Sequence, residues 1–273
     1  MGRKPKFTDA QRVEYRQNQE NEAKERLAAG VASIQSSDDF KRFLDLAAKL
    51  HNYSFSNWML ILQQLPTASH CTGFRTWKTL GRSVRKGEKG IRIFAPRIFK
   101  DKESGESKCG GFHVVSTFDI SQTEGEPIGV KCPLLEGIGD AALYERFATF
   151  ARSKYKLVDN EPQEVCGYWK PSEKLIVVDS EISGLQRLKT LAHEIAHALA
   201  GHGTKGNESK TNEAEVSAES AAYIVCSYFG IDTSERSFPY VAQWAGDFDT
   251  FKSMMNEASR VSKAIIEGVE QCE

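Results

Sequence analysis

Apolar residues recur along this chain in two rhythms, one helical and one alternating, and the changes between them mark its elements. Residues 8–30 are charged at almost every turn with few apolar positions, which predicts a solvated helix or frayed arm ending at Gly30. Ser37, Asp38 and Asp39 then offer an N-cap to a core helix with Phe40, Phe43, Leu44, Ala47 and Leu50 at helical spacing. A second apolar helix, WMLILQQL, opens after Ser54-Phe55-Ser56-Asn57 and is stopped by Pro66. From there the rhythm becomes strand-like: a Gly87-Glu88-Lys89-Gly90 turn leads into IRIFAPRIF, a polar loop spans 101–110, and FHVVSTFDI follows as a strand.

The rear half returns to helices. Residues 122–133 mix Gly, Pro and charge and read as a domain boundary. A helix over 139–153 precedes EVCGYWKPSEKLIVV, whose two apolar runs flank Pro171 to Lys174 as a β-hairpin. Two helical runs follow, RLKTLAHEIAHALAGHG and NEAEVSAESAAYIVCSYFG, then a short closing helix over 232–247 and a long one over 250–269. This pattern predicts an α+β protein of two domains, 1–125 with a charged arm over 1–35 and 137–273, joined by a linker over 126–136.

Composition narrows the class. The six cysteines (71, 109, 132, 166, 226, 272) include no CxxC pair, so neither a zinc ribbon nor a disulfide framework is indicated, and reduced thiols are expected. The first residues, MGRKPKFTDA, lack the apolar core of a signal peptide, and no apolar run of about 18 residues follows. Lys6 stands where myristoylation needs Ser or Thr. A cytoplasmic protein without a membrane partner is the expectation.

The chemistry concentrates in His193-Glu194-Ile195-Ala196-His197. Two imidazoles four residues apart on a helix share a face and can grip one metal ion, with Glu194 beside it to accept a proton from an activated water. Leu188, Leu191, Ile195 and Leu199 specify the helix, and Gly201 suits its C-terminal cap. A single zinc ion needs a third protein ligand and an open position. His202 is one candidate, but HExxHxxGxxH requires Gly and His where this chain has Ala200 and Gly203. Glu215 and Glu219, again four apart on a helix, are the better source. The HExxH and ExxA[DE] layout resembles the gluzincin metallopeptidases, a likeness that implies a ligand role for Glu215 and an orienting role for Glu219 toward a histidine, with the reverse assignment open. Tyr223 reads as core rather than as an oxyanion donor.

A second feature is the charge asymmetry hidden in a net charge of −1. Between Arg75 and Lys100 stand nine basic residues against the single acid Glu88, with Phe74, Trp77, Phe94 and Phe99 among them. Such a run can track a phosphate backbone, and aromatics beside it can stack on unpaired bases at ~1–3 kcal/mol each. A solvated basic hairpin whose aromatics are core is the alternative.

Taken together, YSFSNWMLILQQLP, GFRTWKTLGRSVRKGEKGIRIFAP and VVSTFDISQTEG resemble the N-terminal single-stranded-DNA-binding domain of the ArdC-like antirestriction proteins. AHEIAHALAGH and EAEVSAESAAYIVCSYFGIDTS resemble the zincin-like metallopeptidase domain that follows it. The likeness covers most of residues 38–250 and leaves the 8–30 arm unmatched. It implies a two-domain protein of mobile genetic elements that binds single-stranded DNA and shields incoming DNA from host restriction. By position it implies a nucleic-acid surface of Arg75, Trp77, Lys78, Arg82, Arg85, Lys86 and Lys89, and a zinc centre of His193, His197 and Glu215 with Glu194 catalytic. Three functions stay open: an antirestriction protein acting by coating DNA, a protease directed to its substrate by DNA, and a plain intracellular metallopeptidase whose basic hairpin binds acidic partners.

Overall fold

A computed structural model describes residues 8–34, 36–100, 106–126, 140–205, 207, 211–231 and 247–272. The expected linker beyond residue 126, the tip of the 101–110 loop and the short helix expected over 232–247 lie outside the described residues, apart from Asp247. The rest forms two compact units that are interleaved in sequence. The first comprises Met1–Ser33 and Ser56–Ile128, the second Ile34–Phe55 and Gly129–Glu273. Residues 34–55, which the sequence groups with the front domain, thus pack with the rear half. Among the described residues no helix is long and apolar enough to cross a membrane.

In the first unit, helix α1 (Asp9–Ala32) starts at a capping box in which Thr8 and Gln11 satisfy each other's backbone N–H groups. Most of the helix is solvated as expected, but Ala23, Leu27 and Val31 form a buried stripe at every fourth residue. The expected stop at Gly30 is not one. The helix continues through it, and a Cβ there would come to 3.0 Å from the Met59 side chain and 3.2 Å from Gln63. Gly30 is small because α1 crosses close to α3 (Phe55–Gln64).

The sheet of this unit runs β1 (Cys71–Thr72), β4 (Ser107–Asp119), β3 (Ile91–Lys100), with β3 and β4 a long antiparallel hairpin. Pro96, which has no N–H to donate, sits on edge strand β3 next to a break in register. Two amides of α3 pair the edge as a neighbouring strand would. Asn57 exchanges two 2.9 Å bonds with the backbone of Phe94, and Gln64 does the same with Arg92. A short helix, α4 (Phe74–Thr79), and a two-stranded ribbon of β2 (Arg82–Val84) and β5 (Thr123–Gly125) complete the unit.

In the second unit, α2 (Ser37–Lys49) is capped by Ser36 and packs on α7 (Thr211–Tyr228). Its Phe40 and Phe43 join Phe55 and Phe251 in an aromatic cluster with ring centroids 5.8–6.1 Å apart. Tyr223 on α7 is core, its hydroxyl donating to Asp45 on α2 at 2.7 Å. The expected hairpin is present as β7 (Gly167–Lys170) and β8 (Leu175–Val178), and β6 (Lys156–Val158) pairs parallel on the far side of β8, leaving β7 at an edge. Helices α5 (Asp140–Arg152), α6 (Gly184–Ala200), α7 and α8 (Phe248–Glu270) pack around this sheet and one another.

Asp119, fully buried at the end of β4, shows how polar groups hold the first unit. It accepts from the backbone of Ser69 at 2.8 Å, His70 at 2.9 Å and Ser121 at 2.9 Å. Burial alone would raise its pKa, but these bonds outweigh it and hold the carboxyl below the usual range. A depressed carboxylate stabilises the fold above the unfolded pKa of ~4 and loses that contribution as pH falls through the folded value. Asp119→Ala is therefore expected to lower stability at neutral pH by about 3 kcal/mol, since it strands buried N–H groups. Urea unfolding should show the deficit shrinking below about pH 4.

Candidate metal centre

Helix α6 is fixed by an N-cap from Ser183, whose hydroxyl accepts from Gln186, and by Gly201 in the left-handed region at φ 74°. Leu188, Leu191, Ala192, Ile195 and Ala196 are fully buried, which turns the adjoining face toward α7. On α7, which packs against α6, four buried residues are small: Ala214, Ala218, Ala221 and Ala222. Small residues let the helices close, and the HExxH face meets the carboxylates of Glu215 and Glu219.

The result is a tight group of donors. His193 Nε2 and His197 Nε2 are 3.0 Å apart, and Glu215 reaches each at 3.4 Å. Among the described residues these three form a set whose ligand atoms all lie within 4.8 Å of one another. Two imidazole nitrogens and a carboxylate oxygen, with no lysine or arginine between them, suit a divalent ion of the zinc or manganese type. Behind them, Glu219 faces His193 Nδ1 at 3.2 Å and takes a 2.6 Å ion pair from Lys189, which is buried.

Charges in the metal-free site are strongly displaced. Burial would lower the pKa of His193, but Glu215 and Glu219 more than compensate and push it up to about 9. His197 moves the other way because burial dominates there. Hydrogen bonds from the two histidines hold Glu215 far below the usual carboxylate range. Glu194 is pushed up to about 7, first by burial and then by the charge of Glu215, against the opposing pull of His193 and the Trp169 backbone. That backbone reaches Glu194 because β7 lies hard against α6: a Cβ on Gly167 would come within 2.5 Å of Thr190. A carboxyl poised near neutrality beside a cluster of metal-ligand type is placed for proton transfer.

His202, the other candidate for a third ligand, lies outside this set. It is buried, with Nδ1 at 2.8 Å from His197 Nδ1 and Nε2 at 2.8 Å from Glu257 Oε1. Glu257, on α8, escaped the sequence reading. Its signal was an acid next to the apolar stripe of Met254, Met255, Ala258 and Val261.

The expected nucleic-acid residues divide into three groups. Arg75 and Lys78 on α4, and Lys86 and Lys89 in the turn after β2, are exposed. Half-buried Arg82 and exposed Arg85 bond to partners within the unit: Arg82 donates to Thr123 Oγ1 at 2.8 Å and to the carbonyls of Gly125 and Glu126, and Arg85 to Ser121 O at 2.6 Å and Glu88 at 2.8 Å. Trp77 corrects the expectation outright. It is fully buried, its Nε1 donating to Phe118 O at 2.9 Å, so its ring offers no face to a base. A cavity of about 890 Å³ opens instead between α1 and the turn before β3, with Gln19, Arg26, Gln63, Gln64, Lys89 and Arg92 among its walls. A neighbouring cavity of about 360 Å³ shares Gln19 and Arg92 and adds Tyr15, Arg16, Arg97 and His113.

Comparison with known proteins shows what this chain is similar to. Residues 13–130 match the family model of the N-terminal domain of anti-restriction factor ArdC. The match begins inside α1, so most of the charged arm belongs to the domain rather than standing outside it. An uncharacterized protein of Bacillus anthracis is 25% identical over 266 residues, an alignment covering 77% of this chain and 43% of that protein. The chain thus spans less than half the length of that relative. The crystal structure of the antirestriction ArdC protein from plasmid R388 in its metal-free form has the same fold, with a TM-score of 0.51 at 22% identity over 80% of this chain and 85% of that one. The Mn(II)-bound form of the R388 protein matches with a TM-score of 0.51 at 19% identity over 81% and 85% of the two chains. The chain is therefore ArdC-like, similar over residues 13–130 to the N-terminal domain of anti-restriction factor ArdC.

Proposed function

We propose that this protein binds single-stranded DNA through its first unit, protects incoming DNA from host restriction, and holds one zinc ion in a zincin-like metallopeptidase centre in its second. The observation that carries the metal centre is the convergence of His193, His197 and Glu215 beside the half-ionised Glu194. The Mn(II)-bound form of the R388 relative supports a divalent ion at such a site. A bound ion would supply Lewis acidity toward a peptide carbonyl and water. Glu194 would accept the proton from the attacking water and return it to the leaving amine, a task that suits a carboxyl titrating near pH 7. Edge strand β7, whose Trp169 backbone reaches Glu194, would align an extended peptide. Glu219, paired with Lys189, would steady His193 as the ligand histidine's outer partner.

Support for the DNA reading comes from the first unit. Exposed Arg75, Lys78, Lys86 and Lys89, with the amide- and arginine-walled cavities along α1, combine phosphate affinity with groups that can hydrogen-bond unpaired bases. The second reading is a DNA-directed or general intracellular zinc metalloprotease acting on a regulatory or restriction protein. The poised Glu194 favours it, because an ion held only for structure has no need of a proton acceptor beside it.

Three measurements test these readings. Calorimetry should find one zinc per chain and a loss of about 100-fold or more in affinity when His197 is replaced by Ala, since a three-ligand set loses a direct donor. Because His193 in the metal-free chain holds a proton up to about pH 9, zinc binding at neutral pH should release it, and affinity should fall about tenfold per pH unit below that value. Equal affinity at pH 7 and pH 9 sinks the assignment of His193. Replacing Lys86 and Lys89 together by Ala should weaken single-strand binding and flatten its salt dependence, while Glu194→Gln should leave both unchanged. If Glu194→Gln also abolishes DNA protection in cells at unchanged zinc content, the protease reading gains over simple coating.

A further inference from the structure

Three helices and a turn meet behind His197, joined by a chain of short hydrogen bonds. The chain leaves α6 at Gly201, whose left-handed backbone folds His202 back so that its N–H donates to His197 O at 3.0 Å. His202 Nδ1 then lies 2.8 Å from His197 Nδ1, and His202 Nε2 lies 2.8 Å from Glu257 Oε1 on α8. Ser217 on α7 donates to the same Glu257 oxygen at 2.7 Å. Glu257 is held below the ordinary carboxylate range despite partial burial, by His202 and Ser217.

With His197 Nε2 given over to an ion, as the metal-centre reading requires, these distances admit one consistent placement of protons. An ionised carboxylate only accepts, so His202 Nε2 carries the hydrogen that faces Glu257. A neutral imidazole protonated at Nε2 has a bare Nδ1, which must accept. The hydrogen between the two rings therefore belongs to His197 Nδ1. Its Nε2 is left with a lone pair, directed into the space it shares with His193 and Glu215.

We propose that His202 and Glu257 form a relay that fixes the tautomer and ring orientation of His197, so that α8 belongs to the metal centre although it contributes no ligand. The two are positioning residues, distinct from the Glu219–Lys189 pair that backs His193. This inference rests on the metal-centre reading and adds to it a requirement on residues outside the ligand set.

The experiment titrates zinc against a competing chelator with the full chain and with His202→Phe, Glu257→Leu and His202→Gln. An outer partner of a ligand histidine is worth about tenfold to 100-fold in metal affinity, so the first two variants should lose that much. Glutamine carries an acceptor and a donor on one carbon, as imidazole does, and His202→Gln should bind within about threefold of the parent if the hydrogen-bond pattern is what matters. Metal-free melting temperatures of the variants separate this effect from loss of folding. Histidine nitrogen NMR of the zinc-loaded parent chain needs no variant, and should show a proton on Nδ1 of His197 and on Nε2 of His202. If the parent binds no zinc, the metal-centre reading falls and takes the relay with it. If the parent binds zinc and His202→Phe and Glu257→Leu bind it equally well, the relay alone is overturned. Weak binding by His202→Gln matching that of His202→Phe, or a His202 Nε2 found without a proton in the zinc-loaded chain, also overturns it.

Discussion

The second unit depends on a constraint set by burial: carboxylates and imidazoles withdrawn from water must neutralise one another or lose their charge. Glu215 and Glu219 remain ionised because His193, His197 and Lys189 surround them. At Glu194 burial outweighs the pull of His193 and the Trp169 backbone, and the carboxyl is driven toward neutrality. The same crowding therefore yields acids of two kinds on two packed helices, one set fit to hold a cation and one fit to exchange a proton. Alanines on α7 make the crowding possible, since bulkier side chains would hold the carboxylates away from α6.

Much of this was legible along the chain because it is local. HExxH and ExxAE each lie within one helix, where a four-residue spacing dictates a shared face whatever the rest of the fold does. The hairpin of β7 and β8, the capped α2 and the long closing helix follow from equally local patterns. The residues that escaped are those whose meaning lies elsewhere in the sequence. Glu257 reads as one more acid on an amphipathic helix until α8 packs beside His202, 55 residues away. Lys189 reads as a solvated lysine until Glu219 arrives from α7.

The basic stretch shows the same limit from the other side. Basic and aromatic residues alternate in a base-stacking surface and also in a short helix that buries one ring, and composition does not separate the two. In α4 the tryptophan turns inward while Arg75 and Lys78 face solvent. Arg82 and Arg85 look like phosphate ligands until carbonyls some forty residues later take up their hydrogens. Guanidinium groups fork five donors in a fixed plane, which makes them as useful for pinning a loop as for gripping an anion.

The interleaving of the two units has a consequence for how the molecule is made and divided. Helix α2 leaves the ribosome well before α7, on which it packs, and before Phe251 of α8, the ring partner of Phe40, so part of its greasy face must wait for α7 and α8 to be synthesised. Such long-range closure slows folding and leaves a nascent chain adhesive in the interval. A fragment cut at the obvious seam near residue 125 would carry that orphaned helix away with it, sticky at one end and leaving a hole in the other.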